Sequence, residues 1–354
     1  MGIILGIETS CDDTGISVCK DGVILSNVYS SQLIHSSWGG VVPDLAAREH
    51  VQVIQSITER AILEAEIEIG QISAIAYTRG PGLKGSLLVG SNYAKGLSIG
   101  LGVPLIDIHH MQAHVLAHFI DLPVPSFPFL CLTVSGGHTQ ILLVRDYFDM
   151  EVIGLSIDDA AGEAYDKIAK MLGLTYPGGP AIQENSIGGN ESRFSFPFPA
   201  IPGLDMSFSG LKTSVLYFIR DEVSKDPDFV SKHLSDLCAS IQYRINSILL
   251  SKVSKAVSTT GIREVAIAGG VSANKHLRSL FEMEAKSKNW NVYIPQFQYC
   301  TDNGAMIAFA GYLAFERELF GNIEDGVLPR WPIQGKQHKR DSKSIPITKN
   351  KPAG

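Results

Sequence analysis

The sequence has few cysteines, and none of them belongs to a paired motif. The five cysteines are Cys11, Cys19, Cys131, Cys238 and Cys300, an odd number with no C-x-x-C spacing. A disulfide framework or a structural zinc site is built from paired cysteines, so the pattern argues against both and favours a reducing compartment. We therefore expect a cytoplasmic protein.

Long apolar runs are also missing. A membrane-spanning helix needs about 20 consecutive apolar residues, and the nearest approach, residues 97–108, is interrupted by Pro104 and by glycines. The first residues are apolar, but Glu8, Asp12 and Asp13 follow at once, without the basic start and small-residue cleavage site of a signal peptide. We expect no membrane partner.

Three common signatures of nucleotide binding or catalysis are absent from the sequence. There is no G-x-x-x-x-G-K-[ST] phosphate loop, and the glycine turn at residues 268–274 is not a G-x-G-x-x-G. No Glu follows His110, so the H-E-x-x-H motif of zinc proteases is missing as well. A P-loop ATPase, a Rossmann dehydrogenase and a zincin protease are therefore not indicated.

What the chain does have is an ordinary globular composition with an uneven charge. It has 354 residues, 45% hydrophobic and 19% charged, which favours a soluble protein of two domains. The formal net charge is −6, but residues 331–354 carry a net of +5, so the remaining body carries −11. We expect this basic tail to be disordered, either as a solubilising segment or as an arm that contacts phosphates.

The order of predicted elements indicates two related α/β units. A strand at residues 3–7, a polar turn at 9–14 and a strand at 15–19 open the chain. The same order recurs with a strand at 129–134, a turn at 135–139 and a strand at 140–144. Each copy leads into alternating helices and strands, which is typical of a duplicated α/β fold. The stretch at residues 176–210 is predicted to be a long functional loop.

Two histidines four residues apart are candidates for a metal site. His110 and His114 lie on a predicted helix, where this spacing puts both imidazoles on one face. Asp302, in a polar turn before a later helix, is a candidate third ligand, and two His with one carboxylate suit Fe(II) or Zn(II). From spacing alone, surface histidines are the default interpretation, and an ordinary helix cap at Asp302 remains open as an alternative.

Three turns offer groups that bind anions or nucleosides. The turn at residues 9–14 supplies hydroxyls and carboxylates, and the turn at 135–139 combines two glycines with Ser135 and Thr139. Glycines there let backbone N–H groups approach a phosphate closely. The turn at 268–274 lies between a buried strand and a helix, where backbone packing against a ribose or adenine is plausible. Each turn alone is more often a plain connection.

Motifs along most of the chain resemble those of a known family. The matching motifs are GIETSCDDT at residues 6–14, GGVVP at 39–43, HHM at 109–111, SGGHT at 135–139, DDAAGE at 158–163, YPGGP at 176–180, FSGLKT at 208–213, GGVSAN at 269–274 and CTDNG at 300–304. Together they resemble the TsaD family of tRNA threonylcarbamoyladenosine enzymes, formerly described as O-sialoglycoprotein endopeptidases. The resemblance covers about residues 1–330, so the basic tail lies outside it.

The resemblance implies an α/β fold that is actin-like and Hsp70-like, with two ribonuclease-H-like domains around a nucleotide cleft. The first domain would span residues 1–122, completed by a helix at 303–325, and the second residues 123–302. Residues 331–354 would form the basic tail.

The family's functional residues are carried over by position. Its metal ligands fall on His110, His114 and Asp302, and Asp12 matches a carboxylate that is expected to act in catalysis. Its nucleotide and substrate contacts fall on Thr133, Val134, Ser135, Gly136, Gly137, Asp166, Gly179 and Asn274. The chain has Gln112-Ala113 where bacterial members commonly have Glu-Gly. Gln183 replaces an acidic ribose contact of many relatives, so Gln183 is left out of the predicted site.

The resemblance also implies the reaction and its components. A threonylcarbamoyl group would pass from threonylcarbamoyl-AMP, or another adenine nucleotide bound as substrate, to the N6 amine of the tRNA adenosine 3′ of the anticodon. One divalent metal is implied, with Fe(II) favoured over Zn(II). The implied partners are tRNA, a TsaB-like paralogue in a heterodimer and a TsaE-like P-loop ATPase.

The sequence supports other functions of proteins with the same fold less well. A sugar kinase would not need paired histidines, a small-molecule carbamoyltransferase is usually far longer, and a non-catalytic scaffold subunit would lack the three metal ligands. The predicted helix at residues 87–100, rich in Gly, Ser and Ala, is either the face that pairs with the paralogue or a core helix.

Overall fold

The computed structural model describes residues 2–333, apart from the side chains at positions 33, 36 and 37. The predicted basic tail lies outside the described residues except for 331–333. Within residues 2–333, no helix is both long enough and apolar enough to cross a bilayer.

The first sheet has five strands in the order β3-β2-β1-β4-β5. These strands are β1 (Ile3–Glu8), β2 (Asp13–Lys20), β3 (Val23–Ser31), β4 (Ala74–Gly80) and β5 (Leu105–His109). The first three form an antiparallel meander, whereas β4 and β5 run parallel to β1. The carboxyl ends of β1, β4 and β5 therefore meet at one edge of the sheet.

The second sheet repeats this plan in the order β10-β9-β6-β7-β8. Its strands are β6 (Phe129–Val134), β7 (Thr139–Asp146), β8 (Asp149–Leu155), β9 (Glu264–Ala268) and β10 (Asn291–Tyr293). An antiparallel meander again comes first, and two parallel strands follow beside its first strand. The duplication predicted from the two strand-turn-strand segments is present in the strand order.

The described region contains nine α-helices, which pack on these sheets and on one another. They are α1 (Pro43–Glu64), α2 (Lys84–Leu101), α3 (His110–Leu116), α4 (Ala161–Met171), α5 (Gly178–Asn185), α6 (Ser209–Lys225), α7 (Phe229–Thr260), α8 (Lys275–Lys288) and α9 (Gly304–Phe315). The sequence predicted a loop at residues 176–210, and the structure corrects this, because α5 lies inside it. The run Gly178-Gly179-Pro180 resembles a loop, but Pro is tolerated in a helix's first turn.

Helix α9 packs against the first sheet and passes closest at Gly6. A Cβ built on Gly6 would lie 2.3 Å from the backbone nitrogen of Ala308, so only glycine allows this approach. The predicted helix at 303–325 is shorter than expected and ends at Phe315. Residues 316–333 continue as an irregular strap along the first sheet, where the backbone of Leu328 donates to the carbonyl of Arg79.

Helix α2 has one buried and one exposed face. Ser91 is 2% exposed, so this position of the helix belongs to the protein core. Elsewhere on the same helix, the apolar side chains of Leu88 and Ile99 are 41% and 69% exposed.

Candidate metal and nucleotide site

Three side chains from distant parts of the chain meet at the edge of the first sheet. His110 follows β5 directly as the first residue of α3, His114 lies one turn further on, and Asp302 lies in the turn before α9. Asp302 Oδ1 is 3.4 Å from His110 Nε2 and 3.1 Å from His114 Nε2. One ligand atom from each residue falls within 4.8 Å of the others. Two imidazole nitrogens and one carboxylate at this spacing fit a divalent cation with open positions.

The charges of this cluster reinforce one another. Burial would lower the pKa of His110, but the charges of Asp302 and Glu8 outweigh it and hold that pKa above its ordinary value. Burial would likewise raise the pKa of Asp302, and the two histidines keep it well below its usual range. The Asp302 carboxylate is therefore ionised at neutral pH, which a metal ligand requires.

His109 fixes the start of the helix that carries the two ligands. Its Nδ1 accepts the backbone N–H of Gln112 at 3.4 Å, and its Nε2 lies 2.8 Å from the carbonyl oxygen of Trp331. Burial lowers the pKa of His109 to about 4, so the ring is neutral and Nε2–H donates to Trp331. No sequence pattern indicated this capping role, because Trp331 belongs to the strap and lies far away along the chain.

The first predicted turn runs beside the metal cluster. Burial, together with the charge of Asp302, raises the pKa of Asp13 to about 7. Asp12 is half-buried, and its charge acts on Tyr176 and Asp166 of the second half of the chain. The turn therefore faces both the cluster and the opposite side of the cleft.

The second turn, at residues 135–139, lies next to the same cluster. Burial lowers the pKa of His138 to about 4, and the neighbouring charges of His110 and His114 add to this effect. Gly136 and Gly137 are exposed, with open space where a side chain would be. Thr133 and Val134, by contrast, are fully buried in β6.

Asp166 and Gly179 lie together on the second half of the chain. Asp166 Oδ1 accepts the backbone N–H of Gly178 at 2.7 Å. Burial, opposed by that hydrogen bond and helped by the charge of Asp12, raises the pKa of Asp166 to about 6. The space beside Gly179 is open.

Asn274 caps α8 and is engaged inside the protein. Its Oδ1 accepts the backbone N–H of Leu277 at 2.9 Å and the amide of Asn246 at 3.1 Å, and its Nδ2 donates to Gln242 Oε1 at 2.8 Å. Because only 8% of Asn274 is exposed, its side chain mainly orders the turn and offers little surface to a ligand.

A cavity of about 460 Å³ opens beside this turn. Its lining includes Pro180, Gln183, Ile187, Gln242, Lys275 and His276. Gln183, which the sequence analysis left out of the site, is part of this wall. Its Oε1 accepts the backbone N–H of Lys275 at 2.6 Å, so the amide N–H groups are the donors it has left for a ligand.

His118 extends the face of His110 and His114 by one more helical turn. Its burial predicts how the stability of the protein depends on pH. It is 4% exposed, and its Nε2 has no hydrogen-bond partner in the described part of the chain. Burial lowers its pKa from 6.5 to about 4. Between pH 6.5 and pH 4, His118 is protonated in the unfolded chain but stays neutral in the folded chain. Folding stability is therefore expected to fall as the pH drops from 6.5 towards 4, with at most about 3 kcal/mol from this residue.

The His118→Asn variant tests this, because its amide can still donate to the carbonyl of Ile267 as His118 does. Urea unfolding of both proteins at several pH values should show a shallower acid loss in the variant. Equal acid losses in the two proteins would contradict the assignment.

Comparisons with known proteins show the family of this chain. The family model of TsaD, tRNA N6-adenosine threonylcarbamoyltransferase, matches residues 23–309. The chain is 53% identical over 337 residues to the tRNA N6-adenosine threonylcarbamoyltransferase of Riemerella anatipestifer, covering 94% of this chain and 99% of that protein. It is 55% identical to the enzyme of the same name from Christiangramia forsetii, covering 90% and 95%.

Solved structures of low sequence identity share the fold. HypF of T. kodakarensis superposes with a TM-score of 0.59 at 15% identity, covering 89% of this chain and 48% of that one. Component A of the Acidaminococcus fermentans (R)-2-hydroxyglutaryl-CoA dehydratase gives 0.51 at 15% identity, covering 88% and 98%. With the two matching sheets, these likenesses confirm the actin-like fold. By its sequence the chain belongs to the TsaD family of tRNA N6-adenosine threonylcarbamoyltransferases.

Proposed function

We propose that this chain transfers the threonylcarbamoyl group of threonylcarbamoyl-AMP to the N6 amine of the adenosine 3′ of the anticodon, in tRNAs that read ANN codons, and releases AMP. The observation that carries the proposal is the His110–His114–Asp302 cluster, which lies beside the exposed Gly136-Gly137 turn in a chain of the TsaD family. An acyl-adenylate needs both a phosphate cradle and a group that activates its carbonyl, and the turn and the cluster would supply them.

His110, His114 and Asp302 would hold one divalent metal, because two His and one carboxylate with open positions suit Fe(II) or Zn(II). Between these two ions we favour Fe(II), as the family resemblance implies. Bound there, the metal would supply Lewis acidity to the carbamoyl carbonyl and a fixed point for the threonyl group. The three residues would hold it rigidly, because His110 and His114 share one helix and both lie close to Asp302 Oδ1.

The nucleotide part of the substrate would span the cleft. The Ser135-Gly136-Gly137 turn would hold its phosphate through the backbone N–H groups of Gly136 and Gly137, because the N–H of Ser135 already donates to the carbonyl of His138. Thr133 and Val134 would support this turn from inside β6. Asp166 and Gly179 would contact the substrate from the other side, and the Asn274 turn with the neighbouring cavity would receive the nucleoside. We place this cleft between a domain of residues 1–122, completed by residues 303–325, and a domain of residues 123–302. The packing of α9 on the first sheet supports that division.

Asp12 would orient the incoming amine or accept its proton. The exocyclic N6 amine is a poor nucleophile because its lone pair is delocalised into the ring. Positioning and activation of the carbonyl should therefore contribute more than a strong base. The half-buried place of Asp12 in the first turn, within electrostatic reach of Asp166, supports this role.

Beside tRNA, we propose a TsaB-like paralogue and a TsaE-like P-loop ATPase as partners in the cytoplasm. The exposed apolar side chains Leu88 and Ile99 on α2 support a docking face for the paralogue.

The proposal is tested with isotopically labelled threonylcarbamoyl-AMP, unmodified tRNA, and the chain together with its metal and both partners. Label is expected to appear on the adenosine 3′ of the anticodon, with one AMP released for each group transferred. A tRNA with guanosine at that position is the matched control and should stay unlabelled.

In the same assay, Asp12→Ala should slow transfer while leaving adenylate binding unchanged. Adenylate consumption that never labels tRNA, under conditions where the tRNA is bound, would exclude the proposed function.

A further inference from the structure

One buried carboxylate at the metal cluster belongs to none of the residues proposed to bind metal or substrate. Glu8 is the last residue of β1 and is 0% exposed. Its Oε1 accepts the backbone N–H of Ser10 at 2.5 Å. Its Oε2 accepts the hydroxyl of Thr78 at 2.6 Å and lies 3.0 Å from His110 Nδ1. Burying a carboxylate is costly unless it is paired, and the one cationic or metal-binding side chain among these three partners is His110.

This contact determines which nitrogen of His110 is available. Nδ1 of His110 faces Glu8 Oε2 at 3.0 Å and the Ser10 hydroxyl at 3.1 Å. An ionised carboxylate only accepts hydrogen bonds, whereas a hydroxyl can also accept, so Nδ1 carries the hydrogen that these two oxygens share. In the neutral ring, Nε2 then keeps its lone pair, and this nitrogen lies 3.4 Å from Asp302 Oδ1 on the ligand side. The second ligand has no such support, because Nδ1 of His114 is buried without a hydrogen-bond partner among the described residues.

We propose that Glu8 is a positioning residue that fixes the Nδ1–H tautomer and the ring orientation of His110, so that Nε2 is the metal ligand. The inference rests on the proposed metal-dependent function. A carboxylate behind a ligating histidine also strengthens its donor nitrogen, and losing such a partner typically costs about 10–100-fold in metal affinity. Of the two histidine ligands, His110 is therefore the pre-oriented one.

A purely structural role for Glu8 is the competing explanation, because its other two hydrogen bonds hold the turn after β1 and tie it to β4. The variants Glu8→Gln and Thr78→Val separate the two roles. In Glu8→Gln, the amide oxygen can still accept from Ser10, which turns the amide N–H groups towards His110. His110 would then have to accept at Nδ1 and carry its hydrogen on Nε2, which is the wrong tautomer for binding metal. Thr78→Val removes one structural bond and leaves the contact with His110 intact.

The test measures the affinity of the full chain for Zn(II) by chelator competition, without tRNA or adenylate, so its outcome does not depend on transfer activity. Zn(II) affinity is expected to fall about 10–100-fold in Glu8→Gln and to change by less than about threefold in Thr78→Val. Melting curves of the metal-free proteins are recorded alongside. Equal affinities in Glu8→Gln and the wild-type protein, or equal losses in both variants, would overturn the proposal.

A measurement on the wild-type protein covers the case in which Glu8→Gln does not fold. Nitrogen-15 NMR of the Zn(II)-loaded chain should show His110 with its hydrogen on Nδ1, and a hydrogen on Nε2 would overturn the assignment. A chain that passes these tests but never labels tRNA would refute the proposed transfer and leave the role of Glu8 standing.

Discussion

Replacing Asp302 with asparagine is expected to lower metal affinity by roughly 100- to 1,000-fold and to remove most transfer activity. Protein zinc sites with four ligands bind with about 10–16 kcal/mol, so each ligand accounts for roughly 3–4 kcal/mol, which corresponds to this factor. Asp302 is the only anion of the three ligands, and its Oδ1 lies close to Nε2 of both histidines. Asparagine keeps the shape of the side chain and removes its charge.

Zn(II) or Fe(II) titration of the purified chain, followed by the labelled transfer assay, measures both effects. Asp221→Asn, at an exposed position on α6, is the matched control and should leave both values unchanged. Near-normal metal affinity in Asp302→Asn would show that this cluster is not the metal site. Near-normal transfer by an Asp302→Asn protein that binds no metal would show that the metal is not needed for the reaction.

The metal cluster shows how much of a site the spacing of residues along the sequence can predict. The i, i+4 spacing of His110 and His114 predicted that both imidazoles share one face of α3, and the structure has them on that face. Asp302 lies 188 residues after His114, and no local pattern links the two. They meet because β5 and the turn before α9 end at the same edge of the first sheet, which is a property of the topology. The resemblance to a family indicated the third ligand, whereas periodicity could not.

The sequence predicted the fold more completely than it predicted the residues that line the site. Apolar strands separated by polar turns predicted the first two strands of each meander, because buried strands and turns have clear local signatures. Helix α5 was missed, since its first residues Gly178-Gly179-Pro180 suggest a loop. Gly178 is there for packing, because a Cβ at this position would lie 2.6 Å from the Cα of Asp166 on α4. A tertiary contact of this kind leaves no local pattern in the sequence.

The role of Glu8 could not be predicted from the sequence, for a different reason. Its place at the end of an apolar strand suggested only the start of a polar turn, and its burial became visible once β4 and α3 closed over it. Thr78 and His110, its two side-chain partners, lie 70 and 102 residues away. The sequence showed a carboxylate beside a candidate site, but its role depends on which nitrogen of His110 it contacts.

The strap after α9 is expected to depend on one arginine. Arg79, at the end of β4, is 7% exposed, and its Nη1 lies 3.0 Å from carboxylate oxygens of both Asp107 and Asp325. Its Nε donates to the carbonyl of Gly326 at 2.8 Å, and its guanidinium packs over the ring of Trp331 at 5.7 Å. Arg79→Met removes the cation that both carboxylates face, and breaking a buried pair in this way typically costs about 3–5 kcal/mol of unfolding free energy.

Urea unfolding measures this loss, with Arg48→Met as the matched control. Arg48 pairs with Asp44 on α1, and both side chains are more than two-thirds exposed, so its loss should cost less than about 1 kcal/mol. Equal losses in the two variants would show that the Arg79 network does not hold the strap. Because the carbonyl of Trp331 bonds His109 at the start of α3, a loosened strap should also weaken Zn(II) binding at His110 and His114.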